Sequence, residues 1–143
     1  MSGEKTVKLA KAAQTVARKL KVEIVVAPPQ PALATVAKKV RMPVICQHVD
    51  DEKVGSSTGY FVPEIAKSYG AVGSLINHSE HRIEMKIIAN LVERLRKLGM
   101  TSIVCAESHG RSWRYRLSCQ ISSLSSRKSS SGQAGRYRRK TLL

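Results

Sequence analysis

The sequence predicts an α/β fold with a parallel sheet, because short β-branched runs alternate with segments of helical periodicity. The strand-like runs lie at residues 22–28, 43–47, 73–76 and 101–105, and each follows a helical segment. Aromatic residues make up only 4% of the chain, so Val, Ile, Leu and Ala must form the core. A helix between each pair of consecutive strands implies parallel strands with right-handed crossovers.

The first predicted helix and strand occupy residues 4–28. An apolar face at helical spacing, with lysines between its members, predicts an amphipathic helix over residues 4–20. Its members are Leu9, Ala13, Val16 and Leu20. A basic helix on a membrane surface is the weaker interpretation, since this face carries no aromatic residue. The β-branched run that follows ends at Pro28, as expected at the end of a strand.

The middle of the chain predicts two further helices. Residues 30–40 place Ala32, Val36 and Ala37 on one side and end in basic residues, which favours a helix. The strand 43–47 leads into a polar loop over residues 48–59. Pro63 suits the first position of a short helix that ends at Gly70.

The last predicted strands flank the candidate chemistry. The strand 73–76 delivers His78 and Glu80 into the start of a helix over residues 80–98, which ends at Gly99. The apolar face of that helix is Ile83, Ile87, Leu91, Leu95 and Leu98. His78 therefore lies at the carboxyl end of a strand, where α/β barrels keep their chemistry.

Length and composition limit the class of protein. The chain has 143 residues, against roughly 250 for a full (β/α)8 barrel, so any barrel here is incomplete. No run approaches the ~18 apolar residues of a membrane span, and the polar amino-terminal segment is unlike a signal peptide. We therefore expect a cytoplasmic protein that does not engage a membrane.

The cysteines indicate neither disulfides nor a metal. Cys46, Cys105 and Cys119 are far apart in sequence and form no Cys-x-x-Cys pair, so we expect reduced thiols. Cys46 and His48 could belong to a metal site only if a third and a fourth ligand accompanied them, and the sequence offers none. The cysteines therefore predict neither a disulfide framework nor a metal site.

Charge divides the chain near residue 107. Residues 1–107 hold sixteen Lys or Arg against ten Asp or Glu, a net charge of +6, whereas residues 108–143 hold nine cations and no carboxylate, a net charge of +9. We expect a partial-barrel domain over 1–107 and a basic, serine-rich, disordered tail over 108–143. A tail that binds nucleic acid is the alternative function, which we disfavour.

Several motifs within residues 2–107 resemble archaeal-type triosephosphate isomerases. Asn-His-Ser-Glu at residues 77–80, with Arg82, is similar to the family's Asn-His-Ser-Glu-Arg-Arg. The other similar segments are Val-Glu-Ile-Val-Val-Ala-Pro at 22–28, Gln-His-Val-Asp at 47–50, Gly-Ser-Ser-Thr-Gly at 55–59 with Pro-Glu at 63–64, and Val-Cys-Ala-Glu at 104–107. The resemblance implies a partial TIM (β/α)8 barrel, roughly strands two to five with the intervening helices.

The same resemblance implies the interconversion of dihydroxyacetone phosphate and D-glyceraldehyde 3-phosphate, without cofactor or metal and in a homo-oligomer. His78 would polarise the substrate carbonyl as uncharged imidazole, and Glu80 would at most support it. An ordinary carboxylate of the first helical turn is the alternative for Glu80. His81 stands where the family has its first arginine; we expect both His81 and His48 to be hydrogen-bonded core histidines.

No residue of the sequence matches the family's substrate-holding lysine, its glutamate base or its phosphate-binding loops. The segment that carries the family's glutamate base is recovered when the gene is read in another frame. In that frame the third nucleotide of each codon is joined to the first two of the next. From Cys119 to Ala134 this reading permits most of the family's Pro-Glu-Leu-Ile-Gly-Thr-Gly segment and the residues before it. We hypothesise that residues after about 107 are translated in a shifted frame, which predicts an inactive fragment.

Overall fold

The computed structural model describes residues 3–106. Its elements are helix α1 (Gly3–Leu20), a 3-10 turn (Gln30–Ala32), helix α2 (Leu33–Lys39), helix α3 (Pro63–Ser68), strand β1 (Gly73–Ile76), helix α4 (Met85–Lys97) and strand β2 (Thr101–Val104). The predicted tail over residues 108–143 and its cysteine, Cys119, lie outside the described residues.

The sheet is parallel, as predicted. Strands β1 and β2 pair in parallel, with Gly73 opposite Thr101. Two extended segments continue this order, since Val44 bridges Val26 and Cys46 bridges Ser74, both in parallel. The four predicted strands therefore lie side by side in chain order, and their carboxyl ends meet at one edge.

The predicted strands 22–28 and 43–47 are present only as short bridged segments. The first segment is joined to the second by two backbone hydrogen bonds, from the Val26 amide to Pro43 and from the Ile45 amide to Val26. No described residue pairs with the outer side of the first segment, where Val22 and Val25 are exposed. In the described part of the chain, this segment is therefore an edge of the sheet.

The close contact of β1 with β2 depends on Gly73. A Cβ atom at this position would lie 2.4 Å from the carbonyl oxygen of Thr101, closer than atoms can approach. Only glycine allows the two backbones to come this near. The predicted strand 73–76 is confirmed in its bounds, and its partner ends one residue earlier than predicted, at Val104.

Helix α4 begins five residues later than predicted, at Met85 instead of residue 80. The reason is Asn77, whose φ of 59° turns the chain at the end of β1. Its side-chain oxygen accepts a hydrogen bond from the Ile83 amide at 3.1 Å, which holds residues 77–83 in a loop. His78 and Glu80 therefore lie in this loop and not in the first turn of α4.

The buried face of α1 also differs from the prediction. The expected face is largely exposed, with Leu9 at 59%, Val16 at 46% and Leu20 at 62%, whereas Thr6 and Ala10 are buried. Helix α1 packs against α2 and the 3-10 turn, and its buried residues are Thr6 and Ala10. The apolar pattern therefore predicts the helix correctly but predicts the wrong packing face.

The core lies between the sheet and helices α2, α3 and α4. Its largest buried side chains include Leu33, Val36, Ile76, Leu91 and Leu95. Helix α4 buries Leu91 and Leu95, as predicted, and also Ile88, which the predicted face did not include. Ile83, Ile87 and Leu98, which that face did include, are only partly buried. Within residues 3–106 no helix is both long enough and apolar enough to cross a membrane.

Candidate functional site

A cavity of about 530 Å³ opens at the edge where the carboxyl ends of the parallel segments meet. The first extended segment contributes Ala27, the second contributes Gln47 and His48, and β1 with its following loop contributes Leu75 and His78. The remaining lining residues are Gln30, Pro31, Glu80 and His81. Ligand sites of parallel α/β sheets lie at this edge. The predicted site residues, His78 and Glu80, therefore line a cavity at the edge where parallel α/β sheets bind ligands.

The loop that carries His78 is fixed at its base by Asn77. The Asn77 side-chain nitrogen donates to the carbonyl of Cys105 at 3.0 Å, which ties the end of β1 to the end of β2. The Arg82 guanidinium donates to the Asn77 carbonyl at 2.9 Å. The sequence did not predict this role of Asn77, although asparagine is one of the few residues that adopt a positive φ without large strain.

His78 lies in a turn of its own. Its carbonyl accepts a hydrogen bond from the His81 amide at 2.9 Å, which closes a turn over residues 78–81. The Glu80 amide lies 3.3 Å from Nδ1 of His78 and donates to it. Because Nδ1 accepts a hydrogen bond, the proton of the neutral imidazole belongs on Nε2. The side chain is 43% exposed, so this Nε2–H donor can meet a ligand.

Two contacts of His78 favour different protonation states. The backbone hydrogen bond from Glu80 requires an unprotonated Nδ1, whereas the Glu80 carboxylate, 3.5 Å from the same atom, favours a protonated one. The carboxylate is 89% exposed, and water screens an ion pair of such exposure. Glu80 therefore acts on His78 mainly through the hydrogen bond from its backbone amide.

His48 forms part of the cavity wall. Its Nε2 lies 3.4 Å from a carboxylate oxygen of Asp50, and its side chain is only 14% exposed. Burial and the nearby charge of His81 lower the pKa of His48, against the opposing effect of Asp50. The position of His48 agrees with the expectation of a hydrogen-bonded core histidine.

His81 differs from the same expectation, because it is exposed rather than buried in the core. Its ring stacks on that of His48, with centroids 3.8 Å apart and planes inclined by 23°. The sequence feature that distinguishes His81 is that it stands where the resembled motif has an arginine. Since the two residues lie 33 positions apart in sequence, spacing alone could not predict the stack.

The cavity presents hydrogen-bonding groups and little charge. Its lining holds three imidazoles and one carboxylate, and none of its nine residues is Lys or Arg. Within residues 3–106 no group of three or more His, Cys, Asp or Glu side chains could hold a metal ion. Cys46 is buried, and burial raises the pKa of its thiol to about 12, so it is no nucleophile near neutral pH.

Sequence comparisons identify relatives of the chain. A family model described as triosephosphate isomerase matches residues 1–123, which includes the first part of the segment beyond residue 107. A triosephosphate isomerase of Cenarchaeum symbiosum is 50% identical over 99 residues, which cover 69% of this chain and 44% of that protein.

Two further archaeal proteins of the same name are similar over 107 residues. That of Methanothermus fervidus is 42% identical and that of Metallosphaera sedula 38%; both matches cover 75% of this chain, and 48% and 47% of the respective relative. The chain thus spans about half the length of the relatives it matches. The family match, these identities and the parallel α/β architecture show that the chain belongs to the triosephosphate isomerase family.

Proposed function

We propose that this chain is a fragment of an enzyme that interconverts dihydroxyacetone phosphate and D-glyceraldehyde 3-phosphate, and that His78 is its electrophile. The observation that carries the proposal is the placement of the His78 imidazole in the cavity at the carboxyl edge of the sheet. The Glu80 amide on Nδ1 leaves the Nε2–H free to donate. Family membership supports the choice of substrate.

The proposed chemistry of His78 is the stabilisation of negative charge. During isomerisation a proton moves between two adjacent carbons, and the carbonyl oxygen gains charge as the proton leaves. A neutral imidazole that donates from Nε2 stabilises this oxygen and keeps its own Nδ1 bonded to the Glu80 amide. Glu80 would support the orientation of the ring without touching the substrate.

The second part of the proposal is that this chain of 143 residues does not catalyse the isomerisation. Isomerisation needs a base for the migrating proton and cations for the phosphate. None of the residues that line the cavity is Lys or Arg, and no residue of the sequence matches the family's glutamate base. We propose that the codons for this base lie in the shifted frame after residue 107, and that 108–143 is a tail without a function in isomerisation.

Resequencing the gene through the codon for Glu107, together with its flanking sequence, tests the proposal. An inserted or deleted base at that codon supports the shifted frame. The product of the corrected gene should then isomerise dihydroxyacetone phosphate, and His78→Gln should lower kcat by about 10²–10³-fold, as for loss of a donor to a developing oxyanion. An intact frame refutes the frame change; a corrected enzyme indifferent to His78→Gln refutes the role of His78.

A cytoplasmic location and a homo-oligomeric state are proposed on the strength of family membership. The competing function, nucleic-acid binding by residues 108–143, rests on their nine cations and absent carboxylates. Binding to RNA that weakens steeply with salt and disappears on deletion of 108–143 would favour that function. We expect no such binding at physiological salt.

A further inference from the structure

The stack of His48 on His81 separates two cavities. The larger one, which contains His78, is lined by both rings. A smaller cavity of about 220 Å³ on the other side is also lined by both, together with Asp50, Asp51, Glu52 and Tyr60. The stack is therefore a wall of the candidate site, built from the loop after the second extended segment and the turn that carries His78.

The stack is also the contact that joins the tip of the turn to the neighbouring loop. Asn77 and Arg82 hold the base of the 77–83 loop by hydrogen bonds to the end of β2 and to each other. Residues 78–81 are closed by one backbone hydrogen bond, from the His81 amide to the His78 carbonyl. The hydrogen bond from the Glu80 amide to Nδ1 of His78 also lies within the turn, whereas the ring of His81 against His48 is a contact with another loop.

We propose that His81 is a positioning residue for His78: its ring, stacked on His48, holds the turn at residues 78–81 in place, and the turn is released when both imidazoles carry a proton. The inference deepens the proposed function, on which it rests for the role of His78. Two neutral rings, or one neutral and one charged ring, attract each other. Two imidazolium rings at 3.8 Å repel each other.

The titratable groups that surround the stack are mostly acidic. The larger cavity adds Glu80 and His78 to the groups near the rings, and the smaller one adds Asp50, Asp51, Glu52 and Tyr60. No Lys or Arg lines either cavity. Burial and the charge of His81 lower the pKa of His48 against the opposing effect of Asp50, so that His48 takes up a proton only in acid.

Three variants of the 143-residue chain separate the stack from a merely structural role. His81→Phe keeps a flat ring without charge, His81→Ser removes the ring, and Ser79→Ala is a matched change at an exposed position of the same turn. The readout is the hydrogen-exchange protection factor of the amide at position 81, which reports opening of the turn at the His78 carbonyl.

At pH 7 we expect His81→Ser to lower this protection about threefold to tenfold, the population shift that corresponds to loss of an aromatic pair. His81→Phe and Ser79→Ala should match the original chain. Between pH 7 and pH 5 protection should fall in the original chain and in Ser79→Ala, but not in His81→Phe. In that variant the imidazole of His48, followed by NMR, should titrate at a higher pH.

Equal protection in His81→Ser and the original chain would overturn the proposal. A loss of protection in acid that His81→Phe retains would also overturn it, as would an original chain in which the pKa of His48 is not lowered. The measurement uses no substrate. A failure of the proposed isomerase function would therefore leave these results unchanged and separately interpretable.

Discussion

The two ends of the described chain use similar apolar patterns but pack differently. Helix α4 lies against β1 and β2 and buries Leu91 completely, whereas α1 leaves Leu9 59% exposed. Helix α4 has a strand on either side of it in sequence, and both strands are paired. Helix α1 is followed by an edge segment with no described neighbour on its outer side. The contrast shows that the packing partner, and not the periodicity, decides which apolar residues enter the core.

The largest expected effect is a matched pair of leucine truncations that tests this contrast. Leu91→Ala should lower the free energy of unfolding by about 2–5 kcal/mol, because it empties a completely buried site. Leu9→Ala should change it by less than about 0.5 kcal/mol. Urea denaturation followed by circular dichroism measures both. Similar losses in the two variants would mean that the exposed face of α1 is covered in solution.

Gly73→Ala should have the next largest effect. The added Cβ would meet the Thr101 carbonyl oxygen and push β1 away from β2. We expect a loss of about 1–3 kcal/mol in the free energy of unfolding, as for other overpacked sites. Gly3→Ala is the control, since nothing lies within 4 Å of a Cβ there. If the two variants are equally stable, the strands are not as close as described.

Arg94 tests the polar side of α4. Its guanidinium binds both oxygens of Glu64, at 2.9 and 2.7 Å, and lies 3.4 Å from Asp51. Hydrogen bonds from Arg94 lower the pKa of Glu64. Arg94→Met should lower the free energy of unfolding by about 1–2 kcal/mol, because it leaves the partly buried carboxylates of Glu64 and Asp51 without their cation.

The control for Arg94 is Arg96→Met on the exposed side of the same helix. Arg96 pairs with Glu93 at 2.7 Å, but both side chains are largely exposed. Water screens such a pair, so no measurable change in stability is expected. The two variants are compared by urea denaturation at pH 7. If Arg96→Met lowers the free energy of unfolding as much as Arg94→Met does, burial does not set the strength of these ion pairs.

The smallest expected effect is a pH dependence that comes from His48. Because its pKa in the folded chain is lowered from 6.5, the unfolded chain binds more protons just below that pH. Stability should therefore be complete above pH 6.5 and fall as the pH decreases from 6.5 towards the lowered pKa, by about 1.4 kcal/mol for each unit of the shift.

Glu64 limits the window in which His48 can be observed. Its lowered pKa contributes stability that is present above 4.5 and is lost as the pH falls further. Denaturation between pH 7.5 and 5 therefore reports on His48 with little contribution from Glu64. In His48→Gln this pH dependence should disappear. A variant that keeps it would assign the titration to another group.

The sequence predicted the alternation of elements because local features encode it. Pro63 starts α3 and strand 73–76 has its predicted bounds, since turn residues and β-branched runs act over a few neighbouring positions. The start of α4 was predicted wrongly because the hydrogen bond from Ile83 to Asn77 competes with helical bonding. The face of α1 was predicted wrongly because packing partners are distant in sequence.

The candidate site was predictable only in part. His78 was found from a motif, and the cavity at the carboxyl edge of the sheet agrees with its expected place. The contact of Glu80 through its backbone amide could not be predicted, because side-chain chemistry gives no information about it. The stack of His48 on His81 also depends on how two loops meet in space.

The most direct test of the central claim is isomerase turnover by the purified 143-residue chain from a host that lacks its own isomerase. The proposed electrophile, His78, lies in a cavity that no Lys or Arg lines, and no residue of the sequence matches the family's glutamate base. We therefore expect no conversion of dihydroxyacetone phosphate above that of a matched preparation without the chain. Turnover above this background that is lost in His78→Gln would contradict the claim, because the residues of this chain would then suffice for catalysis.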